Sequence, residues 1–356
     1  MAARLNLGVD AANLPRDRRG MGRYVRSVLR RFATTLSDRV KLTLLVPDLL
    51  PPIVRSRYVE DLPGDVVVMQ RGTADRLGLD IVWYPWNGMT WMTGVRSVAT
   101  VHDVWPFVSP AADARVRARE QTQYREAAAR AASIIAVSEF TKREIVRLLG
   151  VDAQRIHVIH QAAAPPIALP ASTSAENSYA PRERYVLFVG EVEPRKDIAT
   201  LIEAMRRLPD DVRADTKLLV VGRTRGLSHA AGNGMRLELA GEIADDAQLA
   251  ALYAGAAVLA FPSRYEGFGL PVLEAMTYGT PVVASDAASI PEVGGDAALY
   301  FPCGDPDALS AALVRVLRDP QLAASMSVAG KARAQTFDEE TRAARTLDVL
   351  EAAAQR

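Results

Sequence analysis

The sequence predicts an α/β protein built of two doubly wound domains that face each other across a cleft. Three observations lead there. Short apolar, β-branched runs alternate with longer helical patterns, the rhythm of βαβ units wound around a parallel sheet. That rhythm stops once, in a polar segment marked by prolines, and then restarts. The length, 356 residues, exceeds what one compact core ordinarily holds.

Taken in chain order, the first series of strand-like runs is 5–10 (LNLGVD), 40–46, 65–70, 80–85, 97–103, 133–138 and 155–160. Continuous apolar runs of that length suit strands covered by helices on both faces. Between the first two, residues 23–33 place Val25, Val28, Leu29 and Phe32 on one helical face, with Arg23, Arg26, Arg30 and Arg31 largely outside it. Residues 162–182 then carry Pro165, Pro166, Pro170 and Pro181 among small polar residues, a linker by composition. The second series runs through strands at 185–190, 217–222, 235–241, 256–263, 281–286 and 298–301. Its helices are expected at 197–208, 246–254, after Pro271, at 306–317 and at 320–334, before an alanine-rich tail. The domains are therefore 1–165 and 183–335, with a linker at 166–182 and a final helix, 336–356, that could cross back to the first domain. In open α/β sheets ligands sit beyond the carboxyl ends of the strands, so residues just past a strand are the candidates for chemistry.

Apolar residues make up 49% of the chain and charged residues 24%, a globular composition. A single cysteine, Cys303, excludes an intramolecular disulfide and fits a reducing, cytoplasmic setting. Residues 1–9 read as a first strand and not as a signal peptide. No apolar stretch approaches the roughly 18 residues of a membrane span. The net charge of +1 hides an asymmetry. Residues 1–161 hold 24 Lys and Arg against 16 Asp and Glu, a balance of +8; the remainder holds 19 against 26, or −7. A basic first half suits an anionic partner such as lipid headgroups or a phosphorylated acceptor, and equally suits an unevenly charged solvated surface. No nucleic-acid motif or aromatic-interleaved basic stripe accompanies it, so a nucleic-acid partner is not expected.

The densest chemistry lies in RYEGFGLPVLEAM, residues 264–276, directly after the strand AAVLAFPS. Pro271 is suited to the first position of the following helix, where a missing N–H costs nothing. The backbone N–H groups of Gly267, Phe268, Gly269 and Leu270 would then converge with a positive helix end, a cradle for an anion or hydroxyl. Glu266 enters from the strand side, and Glu274 is expected in the first helical turn. Taken singly, each glutamate could be a surface acid or a helix-dipole partner; the constellation is far more specific.

EGFGLPVLE resembles the E-x7-E signature of the family 4 retaining glycosyltransferases. The resemblance extends through 274–305, AVSEFTKREI (136–145) and GEVEPRKD (190–197), and covers most of the chain. It implies the GT-B architecture of two Rossmann-like domains and is similar to bacterial mannosyltransferases of polysaccharide assembly. By that resemblance Glu266 lies beside the donor sugar, Glu274 holds the nucleotide ribose, and the amides of 267–270 bind sugar and diphosphate. Arg195 and Lys196, just after the strand YVLFVG, would neutralise the departing diphosphate. Many relatives carry an arginine after the glycine at 190, whereas this chain has Glu191; Arg223 is one candidate to replace that contact. Gly20 and Gly22 fall in a loop that relatives close over diphosphate and acceptor, and the adjoining PRDRR (15–19) is expected to be mobile.

His102 ends the strand SVATV, and the resemblance implies that it approaches the donor sugar and supports catalysis. His157 and His160 alternate with apolar residues and read as structural, and His229 lies in a polar loop. No residue cluster has metal-ligand spacing, so neither metal nor cofactor is expected beyond a nucleotide-sugar co-substrate. The expected reaction is retaining transfer of a hexosyl unit, GDP-mannose being favoured and UDP-sugars next, to a saccharide or lipid-linked acceptor at the inner face of the cytoplasmic membrane. A phosphorylase or epimerase on the same architecture is the rival enzyme reading. A regulatory module with a degenerate site would have lost residues that are all present here.

Overall fold

The computed structural model describes residues 4–17, 20–49, 56–110, 113–167, 183–224, 227 and 235–355. Expectations for 168–182 within the linker, for Arg18 and Arg19, and for His229 lie outside the described residues. The chain divides into two compact units, Met1–Ala162 with Asp338–Arg356, and Ala163–Phe337.

In the first unit the described strands are β1 (Leu5–Asp10), β2 (Val40–Val46), β3 (Val67–Gln70), β4 (Ile81–Tyr84), β5 (Ser97–Val101), β6 (Ser133–Ala136) and β7 (Ile156–Val158). They form one sheet in the order β3-β2-β1-β4-β5-β6-β7. Every pairing is parallel, with Leu5–Asp10 in register with Val40–Leu45, and Leu7–Val9 with Ile81–Trp83. β4, β5 and β6 are buried at every position, as expected of strands with helices on both faces. Helix α1 (Gly20–Ala33) turns Tyr24, Val25, Val28, Leu29 and Phe32 inward. It starts earlier than the apolar stripe suggests, so Gly20 and Gly22 lie in its first turn and not in a preceding loop. Gly22 is required there, because a Cβ would lie 1.7 Å from the Asp17 carbonyl oxygen.

Helices α2 (Trp105–Val108) and α3 (Ala114–Arg130) have little apolar periodicity: α3 buries only Tyr124 and Ala127. Asp113 caps α3 by accepting from Arg115 N at 2.8 Å. Helix α4 (Glu139–Leu149) is capped by Ser138, which accepts from Thr141 N at 3.0 Å, and closes on Gly150 at φ 66°. The C-terminal helix, Glu339–Gln355, belongs to this unit, with Ala343, Leu347, Leu350 and Ala353 in the same core as Val25 and Leu29. Charge pairs frame that contact: Arg31 with Glu339 at 3.2 Å, and Arg39 with Asp348 and Glu351 at 2.7 Å each.

The second unit contains β8 (Arg184–Val189), α5 (Ile198–Arg206), α6 (Asp210–Asp215), β9 (Thr216–Val221), β10 (Arg236–Gly241), α7 (Asp246–Gly255), β11 (Val258–Phe261), α8 (Leu270–Tyr278), β12 (Val282–Ser285), α9 (Ile290–Gly294), β13 (Leu299–Phe301), α10 (Pro306–Arg318) and α11 (Pro320–Ala334). Its strand order is β10-β9-β8-β11-β12-β13, again all parallel. In both sheets the order runs outward from the first strand and then reverses, so the switch points fall between β1 and β4 and between β8 and β11. Several strands end one or two residues inside the expected runs, where proline, glycine or serine takes over.

Leu347→Ala removes a side chain that is fully buried between the C-terminal helix and the first sheet. A loss of about 2–5 kcal/mol in urea unfolding is expected. Val328→Ala, at a position 72% exposed, serves as the control and should be nearly neutral. A Leu347→Ala protein as stable as that control would contradict the packing.

Candidate active site

The second switch point brings the loop after β8 beside the loop after β11. The first carries a single 3-10 turn, Pro194–Lys196, ending at Asp197, a non-glycine residue at φ 48°. Asp197 is held in that left-handed conformation by Thr200 Oγ1, which donates to its Oδ2 at 2.8 Å, and by Arg264 at 2.7 Å. The Arg264 amide also donates to the Arg195 carbonyl at 2.7 Å, stitching the two loops together. At the neighbouring strand end Gly222, φ 130°, lies against the Gly190 carbonyl, where a Cβ would come within 2.1 Å.

This framework aims three charges at one another. Lys196 Nζ lies 2.5 Å from Glu266 Oε1, and Arg195 lies 3.2 Å from Oε2. Arg195 also pairs with Glu193 at 2.7 Å, and the Lys196 ammonium sits 5.4 Å above the centre of the Phe261 ring. Glu266 is 6% exposed and Lys196 8%. Burial pushes the Glu266 carboxyl up, but the Lys196 ammonium and then the Arg195 guanidinium outweigh it and hold the group below its ordinary value. A carboxylate whose ionised form is favoured therefore sits between two basic side chains, with the backbone of 267–270 immediately following.

That backbone is shaped from the next strand's loop. Ser289 Oγ lies 2.9 Å from the Glu266 carbonyl oxygen and 2.8 Å from that of Phe268, its one proton shared between them. Gly269, φ 108°, caps α8, so the helix begins at Leu270 and Pro271 is its second residue, not its first. Glu274 consequently falls beyond the first turn, and its Oε2 accepts from Tyr253 OH at 2.7 Å. Tyr253 in turn stacks on Tyr278, ring centroids 6.1 Å apart. Lys196, Arg195, Glu266, Gly267, Phe268, Gly269 and Leu270 thus form one locus, with Glu274 on the helix that leaves it. Arg223, the candidate replacement for a phosphate contact, is engaged by Glu242 at 3.2 Å and Glu191 at 3.9 Å.

His102, Gly20 and Gly22 belong to the first unit. His102 follows β5 and is buried, 5% exposed. Its backbone N–H donates to Asn87 Oδ1 at 2.5 Å, and Asn87 adopts φ 64° to present that oxygen. One ring nitrogen, Nε2, is 2.9 Å from the Pro85 carbonyl oxygen, and the other, Nδ1, is 2.8 Å from Gln161 Nε2. Tyr24 meets the imidazole edge to face, centroids 4.9 Å apart. Burial drives the His102 pKa down, against the smaller opposing pulls of the Pro85 carbonyl, Asp103 and Asp17. The sequence motif 136–145 finds a role here, since Thr141 Oγ1 lies 3.3 Å from the His102 carbonyl oxygen. Gln161, Tyr24 and Ser289 were not legible as site residues, because each acts across a separation that no local pattern marks. His157 lies in β7, and His160 lies just past its end. Among the described residues no three His, Cys, Asp or Glu side chains group as metal ligands, and no helix is long and apolar enough to cross a membrane.

Comparison with known proteins agrees with this fold. Residues 172–333 match the family model described as glycosyl transferases group 1, and residues 18–163 match that of glycosyltransferase family 4. The O-antigen chain mannosyltransferase B of Escherichia coli is 34% identical over 269 residues, covering 71% of this chain and 69% of that protein. Among solved structures, sucrose-phosphate synthase from Thermosynechococcus elongatus superposes with a TM-score of 0.75 at 20% identity, over 97% of this chain and 98% of that one. HepE of Anabaena in complex with UDP-glucose does so with a TM-score of 0.72 at 18% identity, over 98% and 99%. With a GT-B fold of two Rossmann-like units and a relative matched over most of its length, the chain belongs to the family 4 glycosyltransferases, enzymes that transfer hexosyl units.

Proposed function

We propose that this enzyme moves a hexosyl unit, with retention, from a nucleotide-diphosphate sugar to a hydroxyl of a saccharide or lipid-linked acceptor in cell-surface polysaccharide assembly. The observation that carries the reading is the cluster of buried Lys196 and Glu266 with half-buried Arg195 at the switch point of the second sheet. As the anomeric C–O bond breaks, its electron pair goes to the diphosphate, and preorganised cations stabilise that gain without reorganising. An ammonium has three N–H donors, of which Glu266 takes one, so Lys196 can serve both the carboxylate and a phosphate oxygen. Glu266 orients the sugar hydroxyls and Glu274 the ribose, while the amides of 267–270 meet the diphosphate and His102 supports the sugar. The acceptor hydroxyl attacks the face the diphosphate leaves, and a departing phosphate oxygen takes its proton. A double-displacement route needs a second carboxylate as nucleophile, and the sequence offers none with a signal comparable to that of Glu266. In this reading the protein's own cations meet the leaving-group charge, with no bound cofactor.

GDP-mannose is the favoured donor, supported by the similarity to an O-antigen mannosyltransferase. UDP-sugars are the alternative, and a UDP-glucose complex of a similarly folded protein keeps them in view. An epimerase or phosphorylase on the same fold is the remaining rival. A thermal-shift screen of GDP, UDP and ADP with their sugars addresses the donor, since a ligand at 100 times its Kd adds about 2.7 kcal/mol. GDP-mannose should give the largest shift, GDP should be released only when acceptor is present, and the product should keep the donor's anomeric configuration. Acceptor-independent turnover or an inverted product would reject the reading.

The acceptor's source suggests a cytoplasmic enzyme working at the inner face of the membrane, in peripheral contact with anionic lipid. The arginines of α1 give this limited support, because Arg26 bonds to the Asp17 carbonyl and Arg31 pairs with Glu339. Arg115 and Arg119 of α3, exposed around Val116, are better placed. Flotation with phosphatidylglycerol vesicles at low salt should recover the protein, and Arg115→Glu with Arg119→Glu should reduce recovery. Equal recovery with neutral vesicles would remove the electrostatic contact.

A further inference from the structure

Both ring nitrogens of His102 are occupied, and their two partners differ in kind. The Pro85 carbonyl can only accept a hydrogen bond, so Nε2 must carry the proton that bridges their 2.9 Å separation. With Nε2 protonated, the neutral ring has a lone pair at Nδ1. Gln161 meets it at 2.8 Å through an amide group able to donate, and Gln161 is itself only 5% exposed. The Tyr24 ring closes a third side at 4.9 Å, and the guanidinium of Arg342, from the C-terminal helix, lies 5.3 Å from the Tyr24 ring centre. We propose that Gln161 is a positioning residue that locks His102 as the neutral Nε2–H tautomer, so that His102 acts as an uncharged contact and never as a proton carrier. This rests on the reading above in which His102 supports sugar transfer.

The physical case is one of supply and demand for protons. An imidazolium would need acceptors at both nitrogens, and the Gln161 Nε2 amide facing Nδ1 offers only donors. Asp103 and Asp17 favour the charged ring, and burial opposes them more strongly. The groups that touch the ring itself, the Pro85 carbonyl, Tyr24 and Gln161, are uncharged. A neutral ring also suits the reaction, because an oxocarbenium-like sugar gains positive charge and a nearby imidazolium would repel it. The tautomer sets a stability consequence whose sign is fixed. With the folded pKa lowered, the unfolded chain binds a proton first as the pH falls below about 6.5. Stability contributed by neutral His102 is therefore present above that pH and is lost on acidification.

The decisive experiment is nitrogen NMR of protein labelled with 15N-histidine, where the four histidines allow assignment by loss of the His102 signal in His102→Asn. One bare nitrogen and one protonated nitrogen, unchanged between about pH 5.5 and pH 8, are expected, with the bare nitrogen at Nδ1. Gln161→Glu turns the donor into an acceptor and should protonate both nitrogens at neutral pH. Its kcat should fall about 10- to 100-fold, with donor KM little changed and activity recovering as pH rises. Gln161→Met, which removes the amide with little change in volume, should lower kcat without creating a new titration. A wild-type His102 that titrates near its ordinary pKa, or carries its proton at Nδ1, overturns the proposal, and this spectrum decides even if a Gln161 variant does not fold. A locked tautomer in wild type together with full activity in His102→Asn would instead sink the catalytic reading of His102 and leave the tautomer assignment standing.

Discussion

A buried carboxylate between two cations is the constraint on which the second unit depends. Removing an ion from water costs several kcal/mol, and only close pairing and hydrogen bonding recover it. Glu266 and Lys196 are 70 residues apart in sequence, so they can meet only if β8 and β11 are neighbours. The adjacency of β8 and β11, the Pro194–Lys196 turn and the left-handed Asp197 together bring those charges within 2.5–3.2 Å. The arrangement also explains why Ser289 is needed: it fixes the two carbonyls that flank the glycine after Glu266.

The first unit solves a different problem at the carboxyl ends of its strands. There the buried titratable group is kept neutral, with an acceptor at one ring nitrogen of His102 and a donor at the other. One unit thus pairs opposite charges at its strand ends, and the other closes both nitrogens of a buried imidazole with polar partners. Each unit reaches its state by supplying or withholding a partner for a buried polar atom, which is where burial makes hydrogen bonds most consequential.

Much of this was legible in the sequence, and the reasons are physical. Strands buried on both faces announce themselves as apolar runs, so LNLGVD and VKLTLLV coincide with β1 and β2. The acid–glycine turn–proline–acid pattern marked the 264–276 locus because turn and helix-start chemistry is local. Helix α3 was not legible, since only two of its residues are buried and periodicity has nothing to report. The start of α1 at Gly20 was also hidden, because glycines read as a loop, and the Asp17 carbonyl that crowds Gly22 is met only in the fold. Pairings across the fold, Lys196 with Glu266 and Gln161 with His102, have no local signature at all. The roles assigned to Glu266 and Lys196 treated them as separate contacts; the geometry makes them parts of one charge cluster.

That coupling is the central claim, and a double-mutant cycle measures it. Glu266→Gln, Lys196→Met and the double variant are compared with wild type by kcat/KM for hexosyl transfer, with unfolding free energies as a check on integrity. If the two act as a unit, the double variant is little worse than the more damaged single variant, with a coupling of about 1–3 kcal/mol. Effects that add to within about 0.5 kcal/mol would show that the ion pair is incidental to transfer and would contradict the account.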